Sequence, residues 1–113
     1  MKDNLLKIIE HYGVLPQLKY FQSEVFELNE AIISTNTCDY YGINERDYEE
    51  TKEHIAEEIA DVLVMLIQFK EQYQITDKQV KEVMENKINR QLERIQNEKK
   101  WNNRLFSRTT IKR

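Results

Sequence analysis

Between Glu58 and Ile67 the chain reads Glu-Ile-Ala-Asp-Val-Leu-Val-Met-Leu-Ile, almost wholly apolar except that Asp61 sits inside the run. On a helix, Glu58 and Asp61 are three residues apart and share a face, and Met65 continues that stripe one turn on. A carboxylate in apolar surroundings is costly, and a second carboxylate beside it makes ionisation harder still. No Lys or Arg occurs between Lys52 and Lys70, so the local sequence supplies no neutralising partner. A divalent metal is the leading candidate for that role. The segment therefore predicts a central helix that carries both core contacts and an anionic site.

The rest of the composition agrees with a helical chain. Two Gly and one Pro in 113 residues, with 33% charged residues, point to an all-α fold of one domain. No apolar run reaches the ~18–20 residues of a membrane span, so no membrane association is expected. The start, Met1-Lys2-Asp3-Asn4, has an early acid and no continuous apolar core, which argues against a secretory signal. The lone Cys38 forms no internal disulfide and suits a cytoplasmic location; with no His near it in sequence it reads as a bystander rather than a nucleophile. Charge is uneven: residues 99–113 hold six basic residues and no acid, leaving 11 basic against 20 acidic residues in the remainder. Such a tail can touch nucleic acid, but a solubilising role, or a seat on the acidic body of a neighbouring subunit, is the favoured reading. The expected division is a helical domain over 1–98 and a basic tail over 99–113.

In chain order, a first helix is expected over about Lys2–His11, with Leu5, Ile8, Ile9 and Tyr12 as its stripe, stopped by Gly13. His11 near its end favours the helix dipole. A second helix should start near Pro16 and end near Ser34, with a seam of Leu18, Phe21, Val25, Leu28 and Ile32. Glu24 and Glu27 flank that seam. Residues 35–47 read as a polar loop closed by Asn44 as a cap. Tyr40 and Tyr41 in that loop either stack on a nucleobase or anchor the loop to the core. A third helix should run from about Tyr48 to Tyr73, apolar round more than half its circumference. Thr76-Asp77-Lys78-Gln79 reads as a capping box opening a fourth helix. That helix carries Val80, Val83, Met84, Ile88, Leu92 and Ile95 on one face and Lys87, Arg90 and Arg94 on another. Past Lys99 the apolar period is lost, and Trp101, Leu105 and Phe106 read as loosely docked.

Glu24 and Glu27 on one long helix, and Glu58 and Asp61 on the next, come together if the helices are antiparallel neighbours. All-oxygen ligation favours a hard cation, Mg²⁺ or Mn²⁺. Di-iron carboxylate bundles use Glu-x-x-His, and neither His11 nor His54 stands at that spacing; His54 directly follows Glu53 and is expected to point elsewhere.

On these residues the chain resembles the MazG-like, all-α nucleoside triphosphate pyrophosphohydrolases, and the short single-domain bacterial and phage members in particular. The resemblance rests on Glu24-Val-Phe-Glu27-Leu, on Glu57-Glu58-Ile-Ala-Asp61-Val-Leu, and on Asn86-Lys87-Ile88-Asn89-Arg90-Gln91-Leu92-Glu93-Arg94, and covers roughly residues 5 to 96. It implies that Glu24, Glu27, Glu58 and Asp61 hold Mg²⁺, with Mn²⁺ as a substitute, and that Lys87 and Arg90, with Asn89 adjoining, meet the phosphates of a nucleoside triphosphate. The implied products are a nucleoside monophosphate and pyrophosphate. Many relatives have paired acids at the first motif, whereas Ser23 precedes Glu24 here. Glu57 reads either as a supporting base or as surface. The fold expected is an antiparallel bundle of about four helices whose core is completed by homo-oligomerisation, as a homodimer or a dimer of dimers. The alternative is a catalytically inactive helical adaptor of the same fold.

Overall fold

A computed structural model describes the backbone of residues 1–40 and 45–111, and the side-chain surroundings of residues 1–36 and 49–105. The chain is all-α, with α1 (Lys2–Tyr12), α2 (Val14–Tyr40), α3 (Glu45–Gln72) and α4 (Asp77–Ile111). It divides into two compact units, Met1–Ile75 and Thr76–Arg113.

In the first unit α3 packs on both α1 and α2. The α2–α3 pair is antiparallel: Gln17, near the start of α2, donates from Nε2 to Oε1 of Gln68, near the end of α3, at 2.8 Å. The inward face of α2 is Gln17, Phe21, Glu24, Leu28, Ala31 and Thr35, which with Val14 and Val25 are the least exposed of its described positions. On α3 the matching row is Thr51, Ile55, Glu58, Val62, Met65 and Phe69. Both rows step by four and three, the 3.5-residue repeat of a coiled-coil seam. Met65 is 2% exposed at the centre of this core, and Phe21 meets Phe69 edge to face at a centroid distance of 5.6 Å. Leu5 and Ile9, one turn apart on α1, complete the core from the side.

The seam expected for α2 is thus rotated. Leu18 and Ile32 are exposed, and the polar Gln17 and Glu24 are buried in their place. The loop expected over 35–47 is also corrected, because α2 continues to Tyr40 and α3 begins at Glu45. Thr35 and Asn36 do not break the helix: Thr35 Oγ1 donates to the Ala31 carbonyl at 2.9 Å and Asn36 Nδ2 to that of Ile32 at 2.9 Å. Asn44, expected as a cap, lies outside the described residues.

Gly13 ends α1 at φ 89°, and its N–H bonds the Ile9 carbonyl at 2.8 Å. At the end of α3, Gln74 takes φ 55°, while Gln74 N–H reaches the Glu71 carbonyl at 3.1 Å and Ile75 N–H that of Lys70 at 3.0 Å. That pair of bonds is a Schellman closure with a non-glycine residue at its left-handed position.

The second unit is a single 35-residue helix. Its capping box forms as expected: Gln79 N–H donates to Thr76 Oγ1 at 3.1 Å, and Thr76 N–H to Gln79 Oε1 at 2.8 Å. The basic segment from residue 99 continues α4 as helix through Ile111. Among the described residues no helix is long and apolar enough to cross a membrane.

Candidate metal centre

The inward rows of α2 and α3 each carry one carboxylate, Glu24 and Glu58. Glu24 is 5% exposed, and Glu58 is largely enclosed. One oxygen of each, Oε2, is buried with no hydrogen-bond partner among the described residues. Buried polar atoms are almost always partnered, and an unpartnered carboxylate oxygen costs more than a neutral group does. Glu27, one turn on from Glu24 and more exposed, brings a third carboxylate, and oxygens of Glu24, Glu27 and Glu58 lie within 4.8 Å of one another.

The electrostatics match this crowding. Burial pushes the Glu24 carboxyl above the usual glutamate range, the charges on Glu27, Asp61 and Glu58 add to the rise, and a hydrogen bond from Tyr20 opposes it. The Tyr20 hydroxyl, bonded to that carboxylate and close to its charge, is in turn held above the ordinary tyrosine value. A divalent cation among the three carboxylates would satisfy the orphaned oxygens and relieve their mutual repulsion. The donor set fits a hard, oxygen-loving ion.

Two clefts open beside the cluster. One, of about 570 Å³, is bounded by Phe26, Glu27 and Glu30 of α2 and by Glu50, His54 and Glu58 of α3, with Ala31 also at its wall. The other, of about 560 Å³, lies between α1, α2 and α3, where Tyr12, Gln17, Tyr20, Asp61, Met65 and Gln68 line it.

Of the residues the sequence marks, Glu24, Glu27 and Glu58 come together as expected. Asp61 stands outside the 4.8 Å group but near enough for its charge to act on Glu24 and Tyr20. The expectation that Asp61 bears the burial cost is corrected: Asp61 is exposed, and the costly carboxylates are Glu24 and Glu58. The physical reason is the seam, which places Glu58, Val62 and Met65 inward and turns Asp61 toward the second cleft. Glu57 is exposed. Lys87, Asn89 and Arg90 all belong to α4, in the second unit. The Tyr40 side chain and all of Tyr41 lie outside the described residues.

His54 does not point elsewhere. It lines the first cleft, with Nε2 4.0 Å from Glu58 Oε1. Tyr20 was also missed. Both stand four residues before a buried glutamate, on the same face one turn earlier, and that spacing was available in the sequence. Gln17 and Gln68 carry no comparable signal, since isolated amides on a helix give no sign of being buried.

The chain is thus an all-α protein with a cluster of carboxylates, two of them with buried, unpartnered oxygens, at the crossing of two antiparallel helices, a donor set that could coordinate a divalent metal. The family can be stated more closely. The model of the MazG nucleotide pyrophosphohydrolase domain matches residues 14–96, and the chain belongs to that family. No curated protein and no solved structure matches it.

Proposed function

We propose that this chain hydrolyses nucleoside triphosphates, in a divalent-metal-dependent reaction, to the monophosphate and pyrophosphate. The observation that carries the reading is the pair of buried, orphaned oxygens on Glu24 and Glu58, within reach of Glu27, in a chain of the MazG family. Glu24, Glu27, Glu58 and Asp61 are the residues assigned to hold Mg²⁺, with Mn²⁺ as a substitute. When bound, the ion supplies charge neutralisation for the phosphates and an activated water for attack on the α-phosphorus.

The chain's own residues do the remaining work. Seam packing fixes Glu24 and Glu58 from both sides, so the ligand geometry is set before substrate arrives. Lys87 and Arg90, with Asn89 adjoining, are assigned to the phosphates, and Tyr40 and Tyr41 to the base. Glu57, exposed beside Glu58, is the reserve candidate for a base.

A homodimer or dimer of dimers belongs to the same proposal. Ile59, Leu63 and Leu66 form an exposed apolar stripe along α3, and Phe26 and Ile33 a second on α2. Stripes of this kind are covered by association more often than left in water. A compact, active monomer in light scattering at micromolar concentration would remove the oligomer from the proposal.

The deciding assay is pyrophosphate release from a panel of natural and modified nucleoside triphosphates, with Mg²⁺ or with a chelator. Release should require Mg²⁺, and Asp61→Asn should lower it while leaving the helical circular dichroism intact. Full turnover by Asp61→Asn would undo its metal assignment. Absence of release across the panel would favour the inactive adaptor.

A further inference from the structure

We infer that His54 is a phosphate-binding residue of this site, donating a ring N–H to the polyphosphate chain of the substrate; the inference rests on the pyrophosphohydrolase reading above. The first cleft opens directly from the candidate metal centre, since Glu27 and Glu58 belong to both. Among the described residues its lining includes four carboxylates, on Glu27, Glu30, Glu50 and Glu58, and a single side chain able to carry positive charge, His54. A polyphosphate is rich in acceptor oxygens and strongly anionic. In that cleft the carboxylates disfavour it unless a cation offsets their charge, and N–H donors on the wall favour it.

His54 is placed for that task. It sits one turn before Glu58 on the same face of α3, so a phosphate near a metal held by Glu58 lies within reach of the imidazole. The 4.0 Å between His54 Nε2 and Glu58 Oε1 is too long for a hydrogen bond. The ring is therefore not committed to Glu58, and with 57% of its side chain accessible it is open to a ligand. A ring nitrogen donates to phosphate oxygen in the neutral imidazole as well as in the charged form, so the contact does not depend on His54 being protonated.

The probe that isolates this contact is inorganic tripolyphosphate, which has the phosphates and no base. Its binding in excess Mg²⁺ is measured by calorimetry on the 113-residue chain, alongside Mg²⁺ binding alone. His54→Ala should weaken tripolyphosphate binding by about tenfold, the loss of one charge-assisted hydrogen bond at a partly exposed site. Mg²⁺ affinity should be unchanged, and His54→Lys, which restores a donor, should recover most of the loss. With a nucleoside triphosphate as substrate, KM should rise in His54→Ala more than kcat falls. Binding of tripolyphosphate by His54→Ala within about twofold of wild type would overturn the inference. So would an equal loss of Mg²⁺ affinity, because His54 would then be acting through Glu58. If wild-type protein binds Mg²⁺ but no tripolyphosphate, the pyrophosphohydrolase reading falls as well.

Discussion

Replacing Glu24 by Gln keeps the shape of the side chain and removes one charge from the most buried position of the acid cluster. Oxygens of Glu24, Glu27 and Glu58 lie within 4.8 Å of one another. At that distance two unit charges repel by about 3 kcal/mol at an effective dielectric of about 20, and by under about 1 kcal/mol in bulk water. The exposure of Glu27 and the raised proton affinity of Glu24 both soften the repulsion. A gain of roughly 1–3 kcal/mol in metal-free stability is therefore expected for Glu24→Gln, in line with the cost of an unsatisfied buried ionised group. For 113 residues the unfolding entropy is about 0.24 kcal/mol per degree, so the melting temperature should rise by roughly 4–12 °C. The assay is thermal unfolding followed by circular dichroism, in chelator and in Mg²⁺. Mg²⁺ at about a hundred times its dissociation constant should stabilise wild-type protein by about 2.7 kcal/mol and Glu24→Gln much less, so the gap should close or reverse. The pH dependence has a definite sign. The folded state holds the Glu24 proton to higher pH than the unfolded chain does, so in metal-free protein this group's contribution is lost as pH rises from the ordinary glutamate range through the raised folded value. Glu24→Gln should flatten that slope. A variant that is less stable than wild type in chelator, with an undiminished response to Mg²⁺, would refute the idea that Glu24 is a repelled, metal-seeking carboxylate.

The remaining predictions concern the frame around the site. Gln17→Leu leaves Gln68 Oε1 without its donor in the core and should cost about 1–3 kcal/mol in chemical denaturation, whereas Gln17→Leu combined with Gln68→Leu should recover much of the loss, because both ends of the 2.8 Å bond are then apolar. A double variant weaker than the sum of the singles would show that the amide pair does more than satisfy itself. Gln74→Gly relieves a left-handed backbone at φ 55° and should stabilise the end of α3 by about 0.5–1 kcal/mol, read from the same denaturation curves; destabilisation would mean that the Gln74 side chain makes a contact of greater value than the strain.

How much of this was legible depended on whether the controlling interaction was local. The capping box of Thr76 and Gln79 involves neighbours in sequence and formed as expected. Gly13 stopped α1 for the same kind of reason. The Glu24–Glu27 spacing also translated directly, because helix geometry converts spacing into a shared face, and the antiparallel pairing of α2 with α3 brought Glu58 to it. The α2 seam did not translate, since apolar periodicity favours Leu18 and Ile32 while the helix pairs through Gln17, Glu24 and Ala31. Burying Gln17 is tolerable only because Gln68 meets it from 51 residues away, and no local pattern carries that information. On α3 the inward row of Glu58, Val62 and Met65 placed the burial cost on Glu58 rather than Asp61. The polar run after Ser34 looked like loop, but Thr35 and Asn36 return their side chains to the carbonyls four residues back and leave the helix intact.

The most direct measurement is the electron paramagnetic resonance signal of free Mn²⁺, which falls as the ion is bound. Titrated with wild-type protein it should drop, and an excess of Mg²⁺ should restore it, since both ions are hard and compete for oxygen donors. Glu24→Gln and Glu58→Gln should each weaken Mn²⁺ uptake by more than about tenfold, as expected when a ligand rather than a supporting residue is lost. A signal left unchanged by wild-type protein, or uptake by Glu24→Gln as tight as wild type, would contradict the assignment of these buried carboxylates to a shared metal ion.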